Sequence, residues 1–395
     1  MKLSNKILWA ISFVIMFVGC SKSTTDLGDN DISVDLNKRY IQFDSGIQTR
    51  GALKTDLFLE ESFAVLGYQH RGRWEAASVM ATPDVFESTP QIVTYLNGIY
   101  QYSPVKVWTG NNYSFFGYYP HNNNNLRLFE GEVIDDKGNI KAIEGVPYIT
   151  YTQPTDGDPT QLVDIMTAHY IDTNVDISPE VRLEMNHRLS AMDIMARNYY
   201  KHIDEITGDT HLVTIEIIDL KLSLKTFTGA KIYLDGSPTI PSEYVGEGEN
   251  RKPKTTTIAY QIVGGNGFAW APSKFDVKPN KSDDTGLRAI TSEQSTSILL
   301  IPQDDDIEGS LQMKYKKKIK TSEYLKNEAN LKDDNVDNDY IFESETALST
   351  FERSLVEGRR YFIEITFTSD AVSVNITAAD EWDKIDDKDL EQEFE

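Results

Sequence analysis

The alternation of apolar and polar residues is the feature that most limits the folds open to this chain. In residues 181–189 charged or amide side chains occupy every second position, and the positions between them hold Leu183, Met185, His187 and Leu189. Successive side chains of a β-strand point to opposite faces, so this period of two predicts a strand with one buried face. Residues 212–225 alternate in the same way until the phase shifts at Ile218, where one extra residue predicts a β-bulge.

Short segments of the same kind recur along the chain, and glycine, proline or polar residues bound them. They predict strands over residues 39–46, 62–70, 113–120, 298–303, 360–368 and 371–377. The last two are separated by Ser369 and Asp370 and predict a hairpin. Only residues 346–355, with Leu348, Phe351 and Leu355 at helical spacing, predict a short helix. The expected fold class is therefore all-β with little helix.

A polar stretch over residues 170–181, which contains Pro179, predicts a hinge between two halves. We expect an N-terminal β domain over residues 38–175 and a C-terminal β domain over residues 176–382. An acidic tail follows over residues 383–395. The halves show no obvious sequence repeat. Three polar stretches predict loops, at residues 121–126, 244–257 and 322–339.

The chain begins with the pattern of an export signal. Lys2 and Lys6 provide positive charge before an apolar run over residues 7–18. This run is too short to span a hydrocarbon core comfortably, because a transmembrane helix needs ~20 residues. Its length and flanks are typical of a secretory signal peptide.

The cysteine at position 20 is the only one in the chain. Gly19 precedes it, as in a bacterial lipobox, with Phe17 where most lipoboxes have leucine. We therefore expect residues 1–19 to be a cleaved lipoprotein signal peptide and Cys20 to carry the lipid. A lone cysteine cannot form an internal disulfide, and a free thiol is a hazard in an oxidising compartment. The alternative is an ordinary signal peptide with a chance cysteine.

The residues after the cysteine predict a tether and a location. Residues 20–37 are polar and acidic, which is typical of a flexible linker between lipid and fold. The expected protein is therefore an exported lipoprotein that its lipid holds at a membrane. The tether does not indicate which face of the membrane the fold occupies.

The charge of the chain excludes one class of partner. Its net charge of −23 is unfavourable for binding nucleic acid, which requires a basic surface. Basic residues cluster only in "KYKKKIK" (residues 314–320), where a solvated strand or loop edge is the expected role. The 20 Tyr, 17 Phe and 5 Trp residues suit strands and a packed core. Aromatic side chains also stack on sugars, so glycan binding stays open.

The sequence holds no recognisable catalytic or cofactor motif, and we expect no enzyme activity, no cofactor and no metal. The histidines are dispersed, at positions 70, 121, 169, 187, 202 and 211. The acidic clusters at residues 156–158 and 304–306 offer the oxygen ligands that Ca²⁺ prefers, but neither matches an EF-hand loop. Solvated loops are the expected role of both clusters. Paired carboxylates for glycoside hydrolysis stay open in so acidic a chain, but the sequence marks out no particular pair.

The order of these segments resembles the fimbrillin-like family, the lipoprotein pilins and adhesin subunits of type V fimbriae. The resemblance runs through nearly the whole mature chain. Its segments are "QFDSGIQTRGA" (42–52), "YSPVKVWTGNNYSFFGYYP" (102–120), "DIMTA" (164–168), "VRLEMNHRLSAMDI" (181–194), "IIDLKLS" (217–223), "LLIPQ" (299–303), and "EGRRYFIEITF" (357–367) with "VSVNITAADEW" (372–382).

This resemblance implies two tandem β-sandwich domains of the transthyretin-like kind and a non-enzymatic subunit. It also implies an outer-membrane lipoprotein at the cell surface and assembly by donor-strand exchange. An Arg-specific maturation protease cuts near the first strand, and a strand of another fimbrial subunit fills the groove that is left. Arg50, followed by Gly51, stands where that cut is expected. Cutting there separates the fold from the lipid on Cys20.

The acidic tail departs from the family pattern and leaves the position in the fimbria open. The tail is unfavourable for a stalk subunit, since a C-terminal donor strand would have to carry it, and a tip, anchor or accessory subunit stays open. An anchor would keep its lipid and stay uncut. A host or bacterial surface ligand is a further expected partner. The alternative function is a surface glycan-binding lipoprotein with β-sandwich domains.

Overall fold

The computed structural model describes residues 40–47, 61–74, 83–87, 90–129, 132–134, 140–142, 146–174, 176–178, 180–203, 208, 210–246, 250–265, 271–280, 286–291, 297–320 and 340–379. The expected signal peptide, Cys20, the tether, Arg50 with Gly51, the acidic tail and the expected loop over residues 322–339 lie outside these ranges.

The strands of the first half are β1 (Gln42–Ile47), β2 (Phe63–His70), β3 (Gln91–Leu96), β4 (Ile99–Gln101), β5 (Asn112–Tyr119), β6 (Leu126–Phe129), β7 (Glu132–Ile134), β8 (Ile140–Ala142), β9 (Tyr148–Thr152), β10 (Met166–Thr173), β11 (Glu180–His187), β12 (Ser190–Asn198) and β13 (Lys201–Ile203).

Those of the second half are β14 (Thr210–Phe227), β15 (Gly229–Tyr233), β16 (Ile240–Pro241), β17 (Tyr244–Val245), β18 (Lys252–Pro253), β19 (Thr255–Val263), β20 (Phe275–Val277), β21 (Arg288–Ala289), β22 (Ile298–Leu300), β23 (Gln303–Lys320), β24 (Tyr340–Leu355), β25 (Arg360–Phe367) and β26 (Val372–Ala379). Residues Pro159–Gln161 form a 3-10 turn. The all-β class is confirmed.

Four sheets organise the fold. Sheet A has the strand order β1-β11-β10-β5-β2-β3-β4, and sheet B has the order β16-β15-β9-β6. Sheet C has the order β13-β14-β23-β24, with β19 and β20 also paired to β14. Sheet D has the order β21-β12-β25-β26, with β22 also paired to β12. The pairs β7–β8 and β17–β18 stand apart.

The core consists of three clusters of buried side chains. Sheets C and D bury their facing side chains against each other, as in a β-sandwich. One face of sheet A packs against sheet B, and its other face encloses an aromatic core of its own. Because both faces of sheet A are covered, β2 and β5 are buried almost throughout rather than at alternate residues.

Strand pairing does not follow the expected boundary between residues 175 and 176. Strand β11 lies beyond that boundary but pairs with β1 and β10 in sheet A. Sheet B joins β9 to β15, which come from opposite sides of it. The described residues after position 36 belong to one compact unit. The division into two tandem domains stays a prediction.

Two details of the strand prediction are confirmed by register. Val181, Leu183 and Met185 are buried in β11, whereas the residues between them are exposed. In the pairing of β14 with β23, the register shifts between Ile217 and Asp219, where the extra residue was expected. The predicted hairpin is β25 with β26.

Two other predictions are wrong. Residues 346–355 are not helical, because they belong to β24 and pair along the long strand β23. Leu348 is 69% exposed there, so the helical spacing of apolar residues does not mark a buried face. The expected loop over residues 244–257 contains β17, β18 and the start of β19. In both segments, pairing with other strands overrides the structure that the local sequence pattern predicts.

Candidate functional site

The first strand of the chain lies at one end of sheet A. Strand β1 pairs with β11 in parallel, with Gln42 opposite Glu180 and Ile47 opposite Met185. A long connection therefore separates β1 from β11, because two parallel neighbours cannot be joined by a tight hairpin turn. Its position in the sheet depends on the side chains that it buries and on its backbone hydrogen bonds.

Ile41, which directly precedes β1, and alternate residues within β1 fill an apolar groove, which we call the first-strand groove. Ile41, Phe43 and Ser45 are 1%, 4% and 2% exposed. The Phe43 ring lies edge-on to the rings of Phe115 and Tyr102, each with its centroid at 5.5 Å. Burial of an aliphatic or aromatic side chain of this size contributes about 1.5–3 kcal/mol. Ile41 and Phe43 therefore anchor the strand.

The third position in the groove is small and polar. Ser45 Oγ donates a hydrogen bond to the carbonyl oxygen of Leu183 on β11, at 3.3 Å. Because the side chain is 2% exposed, a larger residue there must displace its neighbours. The groove thus accepts an aliphatic, an aromatic and a small side chain at alternate positions.

Tyrosine hydroxyls contact the edge of β1 that faces away from β11. Tyr102 Oη donates to the carbonyl oxygen of Ile41 at 2.8 Å, and Tyr100 Oη donates to that of Ser45 at 3.5 Å. Burial raises the pKa of Tyr102. Burial is also the main reason why the pKa of Tyr100 is raised to about 12. Both hydroxyls are therefore protonated donors at neutral pH.

The expected cleavage site follows this strand in the sequence. Strand β1 ends at Ile47, and Arg50 comes three residues later. Arg50, Gly51 and Cys20 lie outside the described residues, so their roles stay predictions. Sequence reasoning missed Tyr100 and Tyr102. The only signal is an aromatic alternation in "YQY", which packing explains equally well.

Other candidate residues have local partners. His187 Nδ1 lies 2.8 Å from a carboxylate oxygen of Asp164. Asp156 Oδ1 accepts a bond from the backbone N–H of Asp158 at 3.0 Å, as in a loop turn. The "KYKKKIK" segment is part of β23, and its Lys318 lies 2.7 Å from Glu216. Three or more potential metal ligands do not cluster anywhere in the described ranges.

One hydroxyl–imidazole pair has the distance of a catalytic dyad. His70 Nε2 lies 2.9 Å from Ser114 Oγ. Ser114 is 0% exposed, however, so its oxygen does not meet a substrate from solvent. The pair ties β2 to β5.

Within the part of the chain that is described, no helix is long and apolar enough to cross a membrane.

No protein-family model matches the chain, and neither does any curated protein. Among solved structures, a fimbrial protein from Bacteroides vulgatus ATCC 8482 matches with a TM-score of 0.59 and 14% identity, over 87% of this chain and 99% of that one. Two further matches have TM-scores too low to carry an argument. A candidate cell adhesion protein from Bacteroides uniformis ATCC 8492 has a TM-score of 0.41 and 16% identity, over 87% of this chain and 99% of that one. The fimbrial anchor protein Mfa2 from Porphyromonas gingivalis has a TM-score of 0.31 and 9% identity, over 87% of this chain and 97% of that one. This chain therefore shares the all-β fold of the Bacteroides vulgatus fimbrial protein, as its resemblance to the fimbrillin-like family predicts.

Proposed function

We propose that this chain is a structural and adhesive subunit of cell-surface fimbriae, exported as a lipoprotein and assembled by strand exchange in the first-strand groove. The observation that carries the proposal is the position of β1. It is a terminal strand of its sheet with a buried apolar face, and Arg50 follows its last residue by three positions. Shared fold with a fimbrial protein supports the same reading.

Removing β1 would leave two kinds of unsatisfied surface. The rings of Phe86, Tyr102 and Phe115 would lose their contacts with Phe43, and β11 would lose its parallel partner. An unpaired strand beside an apolar groove binds another extended segment by β-augmentation. A strand from another subunit would restore both the burial and the hydrogen bonds.

Chain continuity explains why exchange needs a cut. While the segment after Ile47 is intact, β1 stays covalently joined to the rest of sheet A. Whenever β1 detaches from the groove, it therefore returns to it. Cleavage after Arg50 makes β1 part of a separate peptide. A partner strand at high local concentration can then replace it. The same cut separates the fold from the lipid expected on Cys20.

Arg50→Ala tests this proposal, with Arg71→Ala as the matched control because Arg71 is an exposed arginine in a described loop. We expect an Arg-specific protease to cut wild type and Arg71→Ala protein between Arg50 and Gly51. Both should then form ladders on a denaturing gel without heating. Arg50→Ala protein should stay a folded, uncut monomer, and cells that carry it should lack fimbriae of this subunit.

Fimbriae that are unchanged in the Arg50→Ala strain would contradict the role of this residue. They would point instead to an uncut anchor or accessory subunit, or to the glycan-binding lipoprotein. The structure offers that alternative little support. The exposed tyrosines of the described residues lie on separate elements, at Tyr40, Tyr199 and Tyr244. An uncut monomer that a polysaccharide column retains would favour it.

A further inference from the structure

The outer edge of β1 is bordered by a second segment that is not a regular strand. Tyr40 forms an isolated antiparallel bridge with Val107. The backbone N–H of the next residue, Ile41, donates to the carbonyl oxygen of Lys106 at 2.9 Å. The chain before and within β1 therefore lies between β11 on one side and residues 106–107 on the other.

One hydrogen bond of this second border is replaced by a side chain. In a regular antiparallel pair, the N–H of Lys106 would donate directly to the carbonyl oxygen of Ile41. Here the Tyr102 hydroxyl stands between the two groups. It accepts from the N–H of Lys106 at 3.2 Å and donates to the carbonyl oxygen of Ile41 at 2.8 Å. The two backbones are thus held apart by one oxygen.

A second hydroxyl reaches the same edge four residues further along. Tyr100 Oη donates to the carbonyl oxygen of Ser45 at 3.5 Å, which is a longer contact. Carbonyl groups of alternate residues in a strand point to the same side, so the two tyrosines contact one edge. Both are on or beside β4, which lies against β1.

We propose that Tyr102, with Tyr100 as a weaker second contact, forms a backbone clamp that holds the strand in the first-strand groove and sets how fast it leaves. The ligand is an extended peptide, and the contacts are to its carbonyl oxygens. A hydroxyl that donates to a backbone carbonyl does not discriminate between side chains. The clamp would therefore receive any partner strand whose alternate side chains fit the groove, in the register of β1.

The two parts of Tyr102 have separate tasks. Its ring packs against Phe43 in the groove, whereas its hydroxyl alone completes the border between Ile41 and Lys106. Tyr102→Phe keeps the ring and removes one oxygen. The N–H of Lys106 and the carbonyl of Ile41 then face each other across a gap, and each loses a hydrogen bond. This variant isolates the clamp from the packing.

The first measurement uses the intact, uncut chain and follows amide hydrogen exchange in the segment that contains β1. We expect Tyr102→Phe to exchange roughly 2- to 13-fold faster than wild type in this segment, which corresponds to the loss of the one bond that the hydroxyl donates to it, at Ile41. Tyr95→Phe is the control, because the Tyr95 ring packs against Tyr100 on the same hairpin at 5.0 Å. The exchange rate of Tyr100→Phe should lie between those of Tyr102→Phe and Tyr95→Phe.

The second measurement rests on the proposed function and follows release of the labelled N-terminal peptide after cleavage at Arg50. Release should be faster in Tyr102→Phe than in wild type and Tyr95→Phe by a similar factor. Equal exchange in Tyr102→Phe, Tyr95→Phe and wild type would overturn the clamp. If wild type is not cut or keeps its strand, the strand-exchange function fails, and hydrogen exchange in the uncut chain still decides the clamp.

Discussion

Arg360 and Asp193 form a buried ion pair across the neighbouring parallel strands β25 and β12. Their side chains are 5% and 0% exposed, and the guanidinium of Arg360 donates to Asp193 Oδ2. Ser297 Oγ donates to Asp193 Oδ1 at 2.9 Å and lies 3.1 Å from Arg360 Nη2. Because each charge has hydrogen-bond partners, the pair is tolerated in the interior.

Removing one partner should therefore cost far more than removing both. Asp193→Ala leaves a buried guanidinium unpaired and should lower the free energy of unfolding by about 3–5 kcal/mol. The double variant Asp193→Leu with Arg360→Met should lose much less, and urea titrations compare the two. Arg182→Ala removes an exposed ion pair and serves as control, with an expected loss of about 0–1 kcal/mol. A single variant as stable as the control would contradict the reasoning.

The register of this pair illustrates what a sequence can and cannot reveal. The alternation in β11 predicts which residues are buried, because one face of a strand meets the core. It cannot predict that Asp193 and Arg360 meet, since they are 167 residues apart and only the pairing of β12 with β25 joins them. Nothing in the local sequence marks these two residues as partners.

The same limit applies to the candidate site. An apolar, aromatic and small residue at positions 41, 43 and 45 is visible in the sequence, and so is the arginine at position 50. The hydroxyl of Tyr102 between two backbone groups is a consequence of how residues 102–107 border β1, which local pattern does not encode. The prediction of a helix over residues 346–355 is wrong for the same reason, because pairing with the long strand β23 fixes β24 as a strand.

Gly67 is required by a close approach rather than by an unusual backbone angle. A Cβ atom at this position in β2 would lie 2.7 Å from a ring carbon of Phe86 and 2.8 Å from the Cβ of Val85. Gly67→Ala should therefore displace both side chains and cost about 1–3 kcal/mol. Gly110→Ala is the control, because nothing lies within 4 Å of its added Cβ. Thermal melts with equal midpoints for the two variants would refute this.

Alkaline pH should destabilise the fold through tyrosines that are buried or partly buried in it. Burial is the main cause that raises the pKa of Tyr100 to about 12 and that raises the pKa values of Tyr102 and Tyr151. In the unfolded chain these groups ionise near pH ~10. Below that pH both states are protonated and stability is unaffected. Above it only the unfolded state loses protons, so stability falls from about pH 10 to 12.

Thermal melts across this alkaline range measure the effect. We expect a midpoint that is flat up to about pH 9.5 and then decreases steadily. Tyr100→Phe should reduce the slope of that decrease, because it removes one of the raised groups. A midpoint that rises between pH 10 and 12 would show that the direction of the shift is wrong.

Cys20→Ala tests the expected lipid anchor independently of the fold. The order of Lys2, the apolar run, Gly19 and Cys20 motivates it. Without acyl chains the protein loses ~0.8 kcal/mol of membrane affinity for each CH₂ group that would be buried. We expect wild type to take up a fatty-acid label and fractionate with outer membranes, and Cys20→Ala to do neither. A variant that still fractionates with membranes, beside an unlabelled wild type, would eliminate the lipobox.

The last prediction concerns Phe43, the aromatic side chain by which β1 is anchored in the first-strand groove. Phe43→Ala removes a ring that contacts Phe86, Tyr102 and Phe115, and it leaves a cavity. We expect the free energy of unfolding to fall by about 3–5 kcal/mol if the cavity does not collapse. Gln42→Ala changes the exposed neighbour on the opposite face of the same strand and should cost no more than about 0.5 kcal/mol.

The decisive comparison is between global stability and the behaviour of β1. If the groove is a site for exchangeable strands, Phe43→Ala should loosen β1 more than it loosens sheets C and D, because among the described residues the ring belongs to the aromatic core of sheet A. Hydrogen exchange resolved by segment measures both. After cleavage at Arg50, the Phe43→Ala peptide should leave the groove faster than the wild-type peptide, and a synthetic wild-type segment should bind in its place. Uniform loosening of all sheets, with no displacement, would show that β1 is an integral core strand.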